Sequence, residues 1–201
     1  VIEMGKFACQ MLSNGVKSLK EEDSDLAANV YEERQMLRDY DEDIEGRTLK
    51  LLTLFQPMAT DMRTIACILK MITYIFRIGR FGKDIAKITL KLNGKPHFKK
   101  LVTIGHMGDI VHSMISDVLQ AFKDRDFSAL EDLEDRDDEI DDMNHALFRE
   151  VLSYMMENNK IITQGAYYMM TSRYLERCGD LACKIAEKIH YMIHGEQVEI
   201  K

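Results

Sequence analysis

Apolar residues recur along this chain at intervals of three and four positions, almost from end to end. The pattern is clearest between residues 60 and 92, where it is carried by Ile65, Leu69, Ile72, Ile75, Phe76, Gly79 and Ala86. This spacing matches the period of an α-helix with one buried face, whereas a half-buried strand alternates every second residue. The same pattern predicts six helices, over residues 2–20, 24–55, 60–92, 98–123, 126–158 and 162–194.

A few residues interrupt this helical pattern. Ser24 is predicted to cap the second helix, and Pro57 with Thr60 predicts a break and a restart before the third. The strongest break is Asn93-Gly94-Lys95-Pro96, where a glycine that can end a helix is followed by a proline that cannot continue one. This break lies near the middle of the 201 residues, so the chain is predicted to divide there.

The two halves of the chain also resemble each other. Residues 41–45 have an acidic counterpart in residues 137–141, and residues 84–86 have one in residues 180–182, both at an offset of 96 residues. A constant offset across two successive helices indicates an internal repeat. We therefore predict an all-α fold of two tandem three-helix bundles related by this repeat. Their predicted limits are residues 1–94 and 98–196.

The overall charge and the cysteines narrow the function classes. The chain has 27 Lys and Arg against 34 Asp and Glu, a net charge of −7. This charge argues against a non-specific nucleic-acid binder and favours cationic partners such as metal ions. Its most apolar stretch, residues 65–78, is interrupted by Lys70 and Arg77 and is too short to cross a bilayer. No secretory signal is visible. The four cysteines lack CxxC spacing and fit buried thiols of a reducing compartment, so we expect a cytoplasmic protein.

Paired carboxylates give the strongest candidate chemistry. Asp137 and Asp141 lie four residues apart on the fifth predicted helix, and Glu176 and Asp180 have the same spacing on the sixth. Residues four apart share a helix face, so four carboxylates converge if the two helices are antiparallel neighbours. Their mutual repulsion is relieved by solvent, by protons or by a bridging cation. Oxygen ligands suit Mg²⁺, Mn²⁺ or iron, and we expect a cation site here, with a solvated acidic face as the alternative.

The corresponding set in the first half is weaker. It consists of Asp41 and Glu45 with Asp84, but Arg80 occupies the position equivalent to Glu176 at the 96-residue offset. An arginine can pair with a carboxylate directly and remove the need for a metal. We therefore expect the second bundle to hold the better site.

Two segments resemble the PhoU family of phosphate-uptake regulators. Residues 173–189, running on to 194–196, resemble the signature of its final helix, and residues 56–63 resemble the entry into its third helix. The resemblance covers essentially the whole chain. It implies two three-helix bundles with multinuclear clusters of iron, zinc, manganese or magnesium on paired E/D-xxx-D motifs. Its implied metal ligands are Glu176, Asp180, Asp137 and Asp141, and for the first site Asp84, Asp41 and Glu45. Phe76-Arg-Ile-Gly-Arg80 departs from the expected Glu-Arg-Ile-Gly-Asp. A carboxylate is missing whether the chain is aligned on Phe76 or at the 96-residue offset.

The resemblance also implies a function. We expect a non-catalytic, metal-binding adaptor that regulates phosphate uptake and phosphate-starvation signalling. It would act as a cytoplasmic homodimer on the ATPase subunit of the phosphate ABC transporter and on a sensor histidine kinase, reaching the membrane only through these partners. The sequence carries no P-loop, which agrees with a non-enzymatic role.

Two other function classes stay open. One is a carboxylate-bridged, metal-dependent enzyme that performs di-iron-type oxidation or phosphoester hydrolysis. Its Glu-x-x-His signature is present once, at Glu187 and His190, and only with Asp in place of Glu at Asp142 and His145. The other is a metal-free structural bundle, which Arg80 keeps open.

Overall fold

The computed structural model describes residues 1–55 and 58–200. Within them every regular element is helical, and seven α-helices follow in order. They are α1 (Ile2–Glu21), α2 (Ser24–Glu32), α3 (Arg34–Phe55), α4 (Ala59–Leu92), α5 (Val102–Asp124), α6 (Leu133–Glu157) and α7 (Ile162–His194). Short 3₁₀ turns at Ser128–Leu130 and Asn159–Ile161 precede α6 and α7. The predicted all-α class is confirmed.

The predicted helix limits differ from the observed ones by more than one residue in three places. The helix predicted over residues 24–55 is interrupted at Glu33. The helix predicted from residue 98 begins at Val102, and the one predicted from residue 126 begins at Leu133. Ser24 is not the cap of α2: the carboxylate of Asp23 accepts a hydrogen bond from the backbone N–H of Leu26 at 2.8 Å. A carboxylate one residue earlier therefore satisfies the free end of the helix.

The sequence predicts a break on each side of α4. The break predicted at Pro57 lies outside the described residues. The break after α4 is confirmed, since the helix ends at Leu92 and both Asn93 and Gly94 have positive φ, 49° and 69°. Such left-handed backbone ends a helix and costs glycine no steric strain.

The helices form two bundles that share one core. The first consists of α1 to α4 and the second of α5 to α7, with α1 packed on α5 and α4 packed on α7. Buried apolar residues of both bundles belong to one continuous hydrophobic cluster. Phe81 of α4 stacks on Tyr174 of α7 across this contact, with ring centres 5.3 Å apart. The two-bundle fold is confirmed, and the limits 1–94 and 98–196 stay a prediction.

Matching glycine contacts fix the register of the internal repeat. A Cβ at Gly79 would lie 2.6 Å from Cδ2 of Leu37, and a Cβ at Gly179 would lie 2.5 Å from Oδ1 of Asp137. Both members of the second pair follow those of the first by 100 residues, so the predicted offset of 96 is wrong. The difference of four residues is about one helical turn. The predicted register therefore kept each residue on the correct helix face but moved it along the helix.

Candidate functional site

The carboxylate of Asp137 is buried where α6 crosses α7. Its residue is 8% exposed and packs directly against Gly179. Glu176 and Asp180 lie within one helical turn of this glycine, so the close crossing brings Asp137 to the part of α7 that carries both acids. Glycine at position 179 is what allows a side chain of α6 to come so near the backbone of α7.

The electrostatics of this cluster follow from its burial and crowding. Burial raises the pKa of Asp137 from 3.8 to about 7, together with repulsion from Asp180, Asp141 and Glu176. The pKa values of Asp141 and Glu176 are also raised, first by burial and then by the charge of Asp180. The structure thus brings all four carboxylates predicted for the second bundle into one electrostatic group, which we call the acidic cluster.

Two arginines neutralise part of the acidic cluster. Arg173 donates a hydrogen bond to Oε1 of Glu176, and Nη1 of Arg177 donates one to Oδ2 of Asp180 at 2.8 Å. The Oε2 atom of Glu176 is buried and has no hydrogen-bond partner among the described residues; Nε of Arg177 is 3.7 Å away. Leaving a buried acceptor unpaired costs about 1–3 kcal/mol. A cation at this oxygen would remove that cost, and carboxylate oxygens are the ligands that hard metal ions prefer.

The acidic cluster is not closed around an ion-sized space. Within residues 1–55 and 58–200, no three His, Cys, Asp or Glu side chains lie close enough together to hold a metal ion. Binding would require the carboxylates of Glu176 and Asp180 to leave their hydrogen bonds with Arg173 and Arg177. Arg173 and Arg177 were absent from the sequence prediction, although their i,i+3 spacing to Glu176 and Asp180 was a readable signal.

The carboxylates predicted for the first bundle are arranged differently. Asp41 and Glu45 share a face of α3, and the pKa of Asp41 is raised by burial and then by the charge of Glu45. Asp84 instead pairs with Nζ of Lys83 at 2.9 Å. It also lies near Tyr174 of α7, whose pKa is raised by burial and by the charge of Asp84. Asp84 therefore belongs to the contact between the two bundles.

The residues of the Glu-x-x-His signature anchor the end of the chain. Oε1 of Glu187 accepts hydrogen bonds from Nζ of Lys184 at 2.7 Å and from the backbone N–H of Ile200 at 3.2 Å. The Nδ1 atom of His190 lies 3.2 Å from the carbonyl oxygen of Glu196. Both side chains thus hold the segment that follows α7.

No helix in the described part of the chain is long and apolar enough to span a membrane.

Comparisons with known proteins agree over nearly the full length. A family model described as "PhoU domain" matches residues 1–89 and 104–189. The chain is 30% identical over 201 residues to the phosphate-specific transport system accessory protein PhoU homolog of Clostridium acetobutylicum, covering 100% of this chain and 92% of that one. It is 32% identical over 198 residues to the homolog of Rhizobium meliloti. That match covers 98% of this chain and 84% of the relative.

Two solved structures have the same fold. The crystal structure of PhoU from Pseudomonas aeruginosa superposes with a TM-score of 0.92 at 28% identity, covering 96% of this chain and 93% of that one. The phosphate transport system regulatory protein PhoU from Streptococcus pneumoniae superposes with a TM-score of 0.89 at 25% identity. The match covers 98% of this chain and 93% of that one.

Proposed function

The chain belongs to the PhoU family, and on that premise we propose that it is a regulatory adaptor of phosphate uptake and phosphate-starvation signalling. Its relatives are named as accessory and regulatory proteins of phosphate transport, so the prediction that it is not an enzyme is confirmed. The alternative of a metal-dependent enzyme is thereby excluded. The observation that carries the proposal is similarity to those accessory proteins across both bundles.

The partners we propose are the ATPase subunit of the phosphate ABC transporter and a sensor histidine kinase. Exposed apolar side chains near the junction of α3 and α4 support docking there. Leu54, Phe55 and Met58 are 71%, 70% and 80% exposed. A group of large apolar residues in water is typical of a protein–protein contact.

We also propose that the acidic cluster binds a divalent cation: iron, zinc, manganese or magnesium. Asp137, Asp141, Glu176 and Asp180 would supply the oxygen ligands. The cation would neutralise carboxylates that otherwise repel one another, and so fix the spacing of α6 and α7. The unpartnered oxygen of Glu176 supports this assignment. For Asp41, Glu45 and Asp84 a metal-binding role stays a prediction.

A cytoplasmic homodimer completes the proposal. The four cysteines are buried and free, as is usual in a reducing compartment. In this arrangement the protein meets the membrane only through the transporter, and it binds no nucleic acid. Light scattering of the purified chain tests the dimer: twice the mass of 23.3 kDa is expected, and a monomer at micromolar concentration contradicts it.

Co-purification with the transporter ATPase tests the regulatory role. We expect the parent chain to retain the ATPase and the Leu54→Ser/Phe55→Ser variant to lose it. Val102→Ser/Met156→Ser is the matched control, because these side chains are 69% and 82% exposed on other elements. In cells, deletion of the gene is expected to raise phosphate uptake under phosphate-rich conditions. Unaltered uptake in the deletion strain contradicts the proposal.

A further inference from the structure

A small cavity opens on the first bundle between α1, α3 and α4. Its volume is about 300 Å³, at the lower end of the range of small-molecule sites. Its floor is apolar and its rim is cationic. The floor consists of Met11, Leu37 and Phe76, and the rim of Arg34, Arg38, Arg80 and Lys83. We call this space the basic cavity.

The basic cavity occupies the place that the acidic cluster occupies in the second bundle. With the repeat offset of 100 residues, Leu37 corresponds to Asp137, Phe76 to Glu176 and Arg80 to Asp180. Two carboxylates are thus replaced by apolar side chains and a third by a guanidinium. The two bundles present opposite charges at equivalent positions of the same fold.

The arginines of the basic cavity have no counter-ion in the part of the chain that the structure describes. Among the described residues, no carboxylate lies within 4.0 Å of Arg34, Arg38 or Arg80, whereas Lys83 is paired with Asp84 at 2.9 Å. The guanidinium of Arg34 lies over the ring of Tyr31, 4.5 Å from its centre. This contrasts with the acidic cluster, where both neighbouring arginines are ion-paired. Three guanidinium groups therefore border one cavity without an acidic partner in residues 1–55 and 58–200.

We propose that the basic cavity binds a phosphate-class oxyanion, either inorganic phosphate or the phosphate group of a small monoester. A phosphate monoester carries about −1.5 to −2 charges at pH 7, which several guanidinium groups can compensate. Each planar guanidinium can donate two parallel hydrogen bonds to phosphate oxygens. The apolar floor formed by Leu37 and Phe76 lowers the local dielectric constant and strengthens this attraction. The site goes beyond the adaptor role and depends neither on partner docking nor on the cation.

Isothermal titration calorimetry of the full chain tests the site, with inorganic phosphate and glycerol 3-phosphate as probes. Ionic strength is kept constant with chloride. We expect one saturable site, with at least tenfold weaker binding in Arg38→Gln/Arg80→Gln. The control Arg47→Gln/Arg149→Gln removes the same charge from exposed positions outside the cavity and is expected to change the affinity less than twofold. Should the first variant fail to fold, Arg34→Gln replaces it, with an expected loss of about threefold.

The two probes distinguish a free anion from a phosphate monoester as the ligand. Binding of inorganic phosphate supports a free anion as the ligand, and binding of glycerol 3-phosphate alone supports a monoester. The proposal is overturned if neither probe shows saturable binding to the parent chain. It is also overturned if the cavity variant and the control bind equally well.

Discussion

Oδ1 of Asp137 lies 2.5 Å from the point where any side chain at Gly179 would place its Cβ. This contact shows how closely α6 approaches α7 at the acidic cluster. We predict that Gly179→Ala lowers the free energy of unfolding by about 1–3 kcal/mol, because either the carboxylate or the helix must move. Urea denaturation measures this change.

The control for that substitution is Gly46→Ala. Gly46 is also helical, on α3, but nothing lies within 4 Å of the Cβ it would gain. Replacing a helical glycine by alanine in open space is expected to raise stability by about 0.5–1 kcal/mol. If both alanines act in the same direction, the packing of Asp137 on Gly179 does not limit the approach of the two helices.

A second prediction concerns pH in the absence of metal. The pKa of Asp137 is about 7 in the folded chain and 3.8 for the free side chain. Between these two pH values the folded state therefore binds a proton that the unfolded state does not. Stability therefore falls as pH rises from about 4 to about 7 and is constant for this group above that range. Asp137→Asn, which stays neutral, is predicted to be more stable than the parent by about 1–3 kcal/mol at pH 8.

The measurement is urea denaturation of both proteins at several pH values in the presence of a chelator. Below pH 4 the parent and Asp137→Asn are expected to differ little, because the carboxyl group is neutral in both states. Asp142→Asn is a suitable control, since the carboxyl group of Asp142 is exposed and does not contribute to the pKa of Asp137. Parallel curves for the parent and Asp137→Asn across the whole range contradict the prediction.

The third prediction is that metal binding depends on the acidic cluster. Elemental analysis of the purified parent is expected to find divalent metal, and Glu176→Ala/Asp180→Ala is expected to contain little. Protons compete for the same oxygens, so the metal content should fall on acidification. Equal metal in both proteins contradicts a cation at this cluster. The separate variant Asp41→Ala/Glu45→Ala shows whether the first bundle contributes.

The fourth prediction concerns the end of the chain. Glu187 accepts a hydrogen bond from the N–H of Ile200 and is paired with Lys184, so Glu187→Ala is expected to release the segment after α7. Limited proteolysis should then cut between residues 195 and 200 at least five times faster. Glu199→Ala is the control, because its side chain is exposed. Equal cleavage rates in the two variants contradict the anchoring role.

The sequence predicted the helices and the acidic cluster because both depend on local spacing. Apolar periodicity reports which face of a helix is buried, and i,i+4 spacing places Asp137 with Asp141 and Glu176 with Asp180. The repeat offset was missed by about one turn, since such a shift leaves every side chain on the same face. Only the contacts of Gly79 and Gly179 with the neighbouring helices reveal the true register.

Other features depend on tertiary contacts that periodicity does not record. The pairing of Asp84 with Lys83 and its approach to Tyr174 require the positions of both bundles. The break at Glu33 separates two stretches that are each helical in pattern, so the apolar period continues across it. The grouping of Arg38 and Arg80 around one cavity likewise needs the packing of α3 on α4.

Because the two bundles share a continuous core, neither half of the chain buries all of its apolar surface alone. Cut at Pro96, either half would expose the apolar surface that α1 presents to α5 and α4 presents to α7. A half-length protomer would need a second protomer to cover that surface, and its integrity would depend on concentration. The covalent connection between residues 93 and 101 makes that pairing intramolecular. It also frees each half to diverge, so that one molecule carries side-chain clusters of opposite charge where a symmetric pair would carry two alike.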